Sequence, residues 1–170
     1  MKTLNEQERR LIWDAMLDAD LAARYYTILA RRYELRDRIL GFLSFILASG
    51  VVGSFILEFG DHTKVVQTSI AVATMIISGV TLIYRFDHSA AQAALLFRQF
   101  TEVLAQYESL WARIDEVEPS ETRSAFDRLR ASVAVMSEDA TREFGDKRKL
   151  ALRAQQQVLE SRGLAYPSHP

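Results

Sequence analysis

The chain has 170 residues, a net charge of −1 and no cysteine, which is about one domain of sequence without the global basic field that drives sequence-independent nucleic-acid binding. The missing thiols exclude disulfides, thiolate nucleophiles and Cys-ligated zinc, and fit a chain with most of its mass in a reducing compartment. A mean hydropathy near zero is an average over two uncharged apolar runs and strongly polar flanks.

Residues 1–38 alternate charged and apolar positions, unlike a signal peptide, so the first apolar run is expected to act as its own insertion signal. Between residues 5 and 37 no Pro or Gly interrupts. Ile12, Met16, Ala19, Ala23, Tyr26, Ala30 and Tyr33 recur at alternating spacings of four and three, the seam of an amphipathic helix that is expected to continue into the apolar run. Just before that run stand Arg24, Tyr25, Tyr26, Leu29, Arg31, Arg32, Tyr33, Arg36, Asp37 and Arg38. Arg and Tyr suit anchoring at lipid headgroups; they equally suit a phosphate ligand, with guanidinium on oxygen and ring on base.

Residues 39–57 and 65–84 contain no Asp, Glu, Lys, Arg or His. A hydrocarbon core about 30 Å thick takes about 20 such residues in a helix, so the two runs predict a transmembrane hairpin closed by residues 58–64. Basic residues cluster before the first run and return at Arg85 and Arg98, whereas the short loop offers Lys64 alone. This asymmetry puts both termini in the cytoplasm. In the first run, Ser49 with Gly53 and Gly50 with Ser54 are small-xxx-small pairs that permit close helix packing. In the second, Gln67, Thr74, Ser78 and Thr81 share a face with Ala71. Polar groups cost energy against lipid tails, so that stripe should turn to interhelical hydrogen bonds or to the lining of a pore.

After the hairpin, Ala93, Phe97, Phe100, Leu104, Tyr107, Trp111 and Ile114 keep heptad spacing, a seam that requires a partner. Glu118, Pro119 and Ser120 mark a break, with Ser120 as the expected N-cap of the next helix. That helix carries Phe126, Leu129, Val133, Met136 and Ala140 on one face. Gly145 and Asp146 interrupt it before a basic, Gln-rich helix over 147–159, and residues 163–170 read as a disordered tail.

Enzyme signatures are missing. The sequence contains no glycine-rich phosphate loop, and His62, His88 and His169 have no zinc-ligand spacing. Asp87 and His88 are adjacent on a helix and point apart, so no catalytic residue and no metal or cofactor is expected.

Arg24, Tyr25, Tyr26, Leu29, Arg32, Tyr33, Arg36 and Asp37 form an RYYxxLxxRYxxRD pattern that leads into a small-residue-rich hairpin. In this the chain resembles the SLATT two-transmembrane effector domains, over roughly residues 13–111. The resemblance implies a bacterial antiviral effector linked to nucleotide second messengers, with no established catalytic residues. The expectation is an all-α integral membrane protein: a cytoplasmic helix (1–38), a transmembrane hairpin (39–84) and a cytoplasmic helical bundle (85–162). Two membrane helices per chain cannot enclose a pore, so permeabilising the inner membrane requires a homo-oligomer in the lipid bilayer. A cyclic nucleotide or oligonucleotide, or a partner acting on the cytoplasmic side, is the expected trigger, with Arg24, Tyr25, Arg32, Arg36, Trp111 and Arg113 as candidate contacts for a nucleotide. A membrane-anchored scaffold without toxic activity and a soluble bundle with the hairpin as its buried core are the rival readings.

Overall fold

The computed structural model of the chain describes residues 4–48, 86–144 and 148–164, together with residues 69, 72, 73, 75–77 and 79. All regular structure among them is α-helical. The long elements are α1 (Glu6–Ala48), α2 (Phe86–Ala112), α3 (Pro119–Phe144) and α4 (Arg148–Arg162). The chain divides into two compact units, one of residues 1–29 with 92–170 and one of residues 30–91.

The first unit is a helical bundle. α1 begins with half of a capping box: Asn5 precedes the helix and its backbone N–H donates to Glu8 Oε2 at 3.0 Å, the side-chain-to-cap bond of that motif. Glu8 also accepts from Arg123 Nε at 2.6 Å, tying the start of α1 to the start of α3. Arg9 pairs with Asp115 at the same end. The sequence-derived seam of α1 is buried from Ile12 through Met16, Ala19, Ala23 and Tyr26 and then moves to Leu29. At the capped end, Leu4, Ile12, Leu110 and Ile114 form an apolar cluster bordered by Trp111, Phe126 and Leu129. Further along, Tyr26 stacks on Phe100 with ring centroids 5.5 Å apart and 10° between planes, and Phe144 closes on it at 6.2 Å. Burial, reinforced by Tyr25, pushes the Tyr26 phenol up to about 12, so the ring serves as packing at neutral pH.

Three sequence expectations are corrected in this unit. α2 buries Ala93, Leu96, Phe100, Val103, Tyr107 and Leu110, with Ile114 just beyond its end. Every second position of the expected seam is therefore displaced by one residue, from Phe97, Leu104 and Trp111 to Leu96, Val103 and Leu110. α3 starts two residues early. Glu118 O accepts from the backbone N–H groups of Glu121 and Thr122 at 3.0 Å, which makes Pro119 the first helical residue, where its missing N–H costs nothing, and moves the cap from Ser120 to Glu118. Finally, Gly163 and Leu164 are no free tail but a helix cap. Gly163 adopts φ +64°, Leu164 N–H donates to Leu159 O at 2.9 Å and Gly163 N–H to Glu160 O at 3.4 Å, the pattern that closes a helix through a left-handed residue. Gly163→Ala should cost about 1 kcal/mol through left-handed strain, read as a lowered denaturation midpoint with an unchanged m-value. The expected interruption at Gly145 and Asp146 and residues 165–170 of the tail lie outside the described residues.

The second unit includes the C-terminal part of α1 and the first turn and a half of α2. Its apolar residues face outward: Phe45 is 71% and Met75 77% exposed, and Ile39, Phe42, Val72 and Ile76 are also exposed. Arg31, Arg32, Arg36 and Arg38 are exposed on the α1 turns before them; Arg38 pairs with Glu34 at 2.9 Å. No helix of the described residues is long and apolar enough to cross a membrane. Residues 49–57 of the first expected membrane run, most of the second, the loop between them, and Ser49, Gly53, Gln67, Thr74, Ser78 and Thr81 lie outside the described residues.

Candidate functional site

Arg24, first among the expected ligand contacts, is committed to the bundle. Its Nε donates to Asp20 Oδ1 at 2.6 Å, and its guanidinium also reaches Ser161 Oγ at 2.8 Å and Gln157 O at 3.3 Å on α4. Asp20, only 3% exposed, accepts a second guanidinium from Arg162 at 3.2 Å. Arg162 in turn donates to Glu108 on α2 at 2.6 Å. Two carboxylates and two guanidiniums thus lock α4 onto α1 and α2. The hydrogen bonds to Glu108 and Asp20 hold the Arg162 guanidinium above its ordinary range, more than burial lowers it. Sequence offered half of this arrangement, since Asp20 and Arg24 stand four apart on one helix face. Arg162 and Glu108 carry no local signal of their role.

The remaining candidates are scattered. Trp111 packs on Trp13 at 5.3 Å, eleven residues or about 16 Å of helix from Arg24. Arg113 turns back onto its own chain, donating to Ser109 Oγ at 3.1 Å. Arg32 and Arg36 are exposed and belong to the other unit, where neither makes an ion pair with a described residue. Tyr25 is half-buried and meets Tyr26 edge-on at 5.0 Å. Of the four candidates that belong to the bundle, Arg24 and Arg113 are thus engaged by its own groups.

What does converge is a cavity of about 360 Å³ within the bundle, missed from sequence because its walls come from four helices. Asp18, Leu21, Tyr25 and Tyr26 of α1 and Phe100 of α2 form one side. Ser137 and Thr141 of α3 face them, and the space is left open by Ala22, Ala140 and Ala151. Its lining contains one carboxylate and no Lys, Arg or His. Burial, with the neighbouring charge of Asp14, raises the Asp18 carboxyl above its ordinary range. Thr141 spends its hydroxyl proton on Ser137 O at 2.8 Å. No group of three or more His, Asp or Glu side chains able to hold a metal occurs among the described residues.

The class these observations define is an all-α helical bundle with a second, outwardly apolar unit. No protein-family profile, curated protein or solved structure matches the chain.

Proposed function

We propose that the chain is a membrane effector of a bacterial antiviral defence system, anchored in the inner membrane by the hairpin of residues 39–84 and permeabilising that membrane as a homo-oligomer. The observation that carries this reading is the contrast between the two units. In the bundle the helix seams are buried, whereas in residues 30–91 Phe42, Phe45, Met75 and Ile76 are exposed. Exposed apolar area on that scale marks contact with lipid or protein, and the uncharged runs that contain it are of spanning length. Arg31, Arg32 and Arg36 then stand where basic side chains meet headgroups on the cytoplasmic side, the face on which both termini lie in this reading. Oligomerisation follows from the hairpin's size, and the Gln67, Thr74, Ser78 and Thr81 stripe is the surface that would meet its own copies.

Control by a cyclic nucleotide belongs to the proposal through the SLATT resemblance, and Arg32 and Arg36 are the basic candidates left for it. A ligand of this kind must bind the active and resting states with different affinity to shift between them. The passive-scaffold reading draws support from Arg24 and Arg113, both engaged within the bundle rather than presented to a ligand.

Fractionation and induced expression separate the readings. The chain is expected to pellet with membranes and resist extraction until detergent is added, and induction should arrest growth and admit a membrane-impermeant dye. Replacing Thr74 and Ser78 by Leu should abolish dye entry while leaving the chain in the membrane. Membrane-bound but harmless expression would support the scaffold instead, and a chain found in the detergent-free supernatant would overturn both.

A further inference from the structure

We propose that the cavity between α1, α2, α3 and α4 is a binding site for a small organic cation, a protonated amine carrying one aromatic or apolar group. At about 360 Å³ it falls at the small end of ligand pockets, which run from about 300 to 1,000 Å³, so it suits a single ring with a short arm. The wall of Tyr25, Tyr26 and Phe100 provides apolar and aromatic surface, with Tyr26 and Phe100 already stacked nearly parallel. At the solvent end stands Asp18, whose carboxylate makes no ion pair or hydrogen bond with a described residue. Asp14, one helical turn away, adds a second negative charge. With no basic residue in the lining, an anionic ligand is repelled and a cation is drawn to Asp18 and to the ring edges and faces beside it.

Asp18 is exposed to solvent, so its charge carries only a small cost to the fold. Because its carboxyl pKa is raised in the fold by burial and by Asp14, the folded chain holds that proton more tightly than the unfolded chain. Stability from this group is lost as pH rises through the shifted pKa, so its ionised form opposes folding at neutral pH. A bound ammonium relieves that opposition, as does an amide in its place.

The inference does not depend on the membrane reading and is tested apart from it. The full chain, held in a non-ionic detergent, is titrated calorimetrically with tryptamine and phenethylamine, with indole-3-acetate and phenylacetate as anionic counterparts of similar shape. One amine per chain should bind, and the carboxylates should not. Asp18→Asn should weaken amine binding at least tenfold while the melting temperature stays level or rises. Ser137→Phe, placed at the exposed mouth so that the core is untouched, should block it. Heat from neither amine, equal binding of the carboxylates, or full affinity in Asp18→Asn would each overturn the proposal.

Discussion

Replacing Asp20 by Ala is expected to destabilise the bundle by about 3 kcal/mol, the lower end of what breaking a buried ion pair costs. The carboxylate is almost wholly inaccessible and serves Arg24 and Arg162 together, so its removal leaves two cations facing one another without a counter-charge. The cost stays at the lower end because both guanidiniums are only part-buried and can turn toward water, and because Arg162 keeps Glu108. Arg24 would keep its bonds to Ser161 and Gln157. Chemical denaturation monitored by circular dichroism reads the change directly. Loss should be concentrated in α4, whose own apolar contribution is three modest side chains, Leu150, Ala154 and Val158. Hydrogen exchange should therefore show α4 amides losing protection before those of α1 and α2. A variant within 0.5 kcal/mol of the parent, or uniform loss of protection, would show that α4 is held by packing and not by the ion cluster.

The second large effect distinguishes two seams that α2 offers. Leu96 is 6% exposed and Phe97 39%, although Phe is the larger apolar residue. Leu96→Ala is expected to cost about 2–4 kcal/mol through lost transfer energy and the cavity left behind. Phe97→Ala should cost under about 1 kcal/mol, since most of what it removes already meets solvent. The pair Leu110 and Trp111 should behave less cleanly, because Trp111 contacts Trp13 while Leu110 is buried in the end cluster. If Phe97→Ala proved the costlier change, the register of α2 in the bundle would be the one its heptad spacing first implied.

These two cases show where legibility ends. The seam of α1 from Ile12 to Tyr26 was readable from its alternating four-and-three spacing, although Leu11, Trp13, Leu17 and Tyr25 adjoin it. α2 carries adjacent apolar pairs, Leu96 with Phe97, Val103 with Leu104, and Leu110 with Trp111, so two stripes share Ala93, Phe100, Tyr107 and Ile114. Nothing local chooses between them. The choice is made by where the other helices stand around α2, as the burial of Leu96, Val103 and Leu110 beside the exposed Phe97 records.

The same division holds for the candidate sites. Arg24 reads as a ligand residue in a motif, but its partners include Ser161 and Gln157, more than 130 positions away. The cavity beside Asp18 depends on three alanines from different helices, each of which alone reads as ordinary seam or surface. The all-helical class, the break near Pro119 and the apolar character of residues 39–48 were determined by the sequence itself. Backbone chemistry and hydrophobic period act over a few residues, and a reader of the chain sees that range. Which α2 stripe turns inward, that Asp20 binds two arginines, and that α1 to α4 leave a space with one carboxylate at its mouth were decided only by tertiary structure, because each depends on side chains that approach through space after helices have formed.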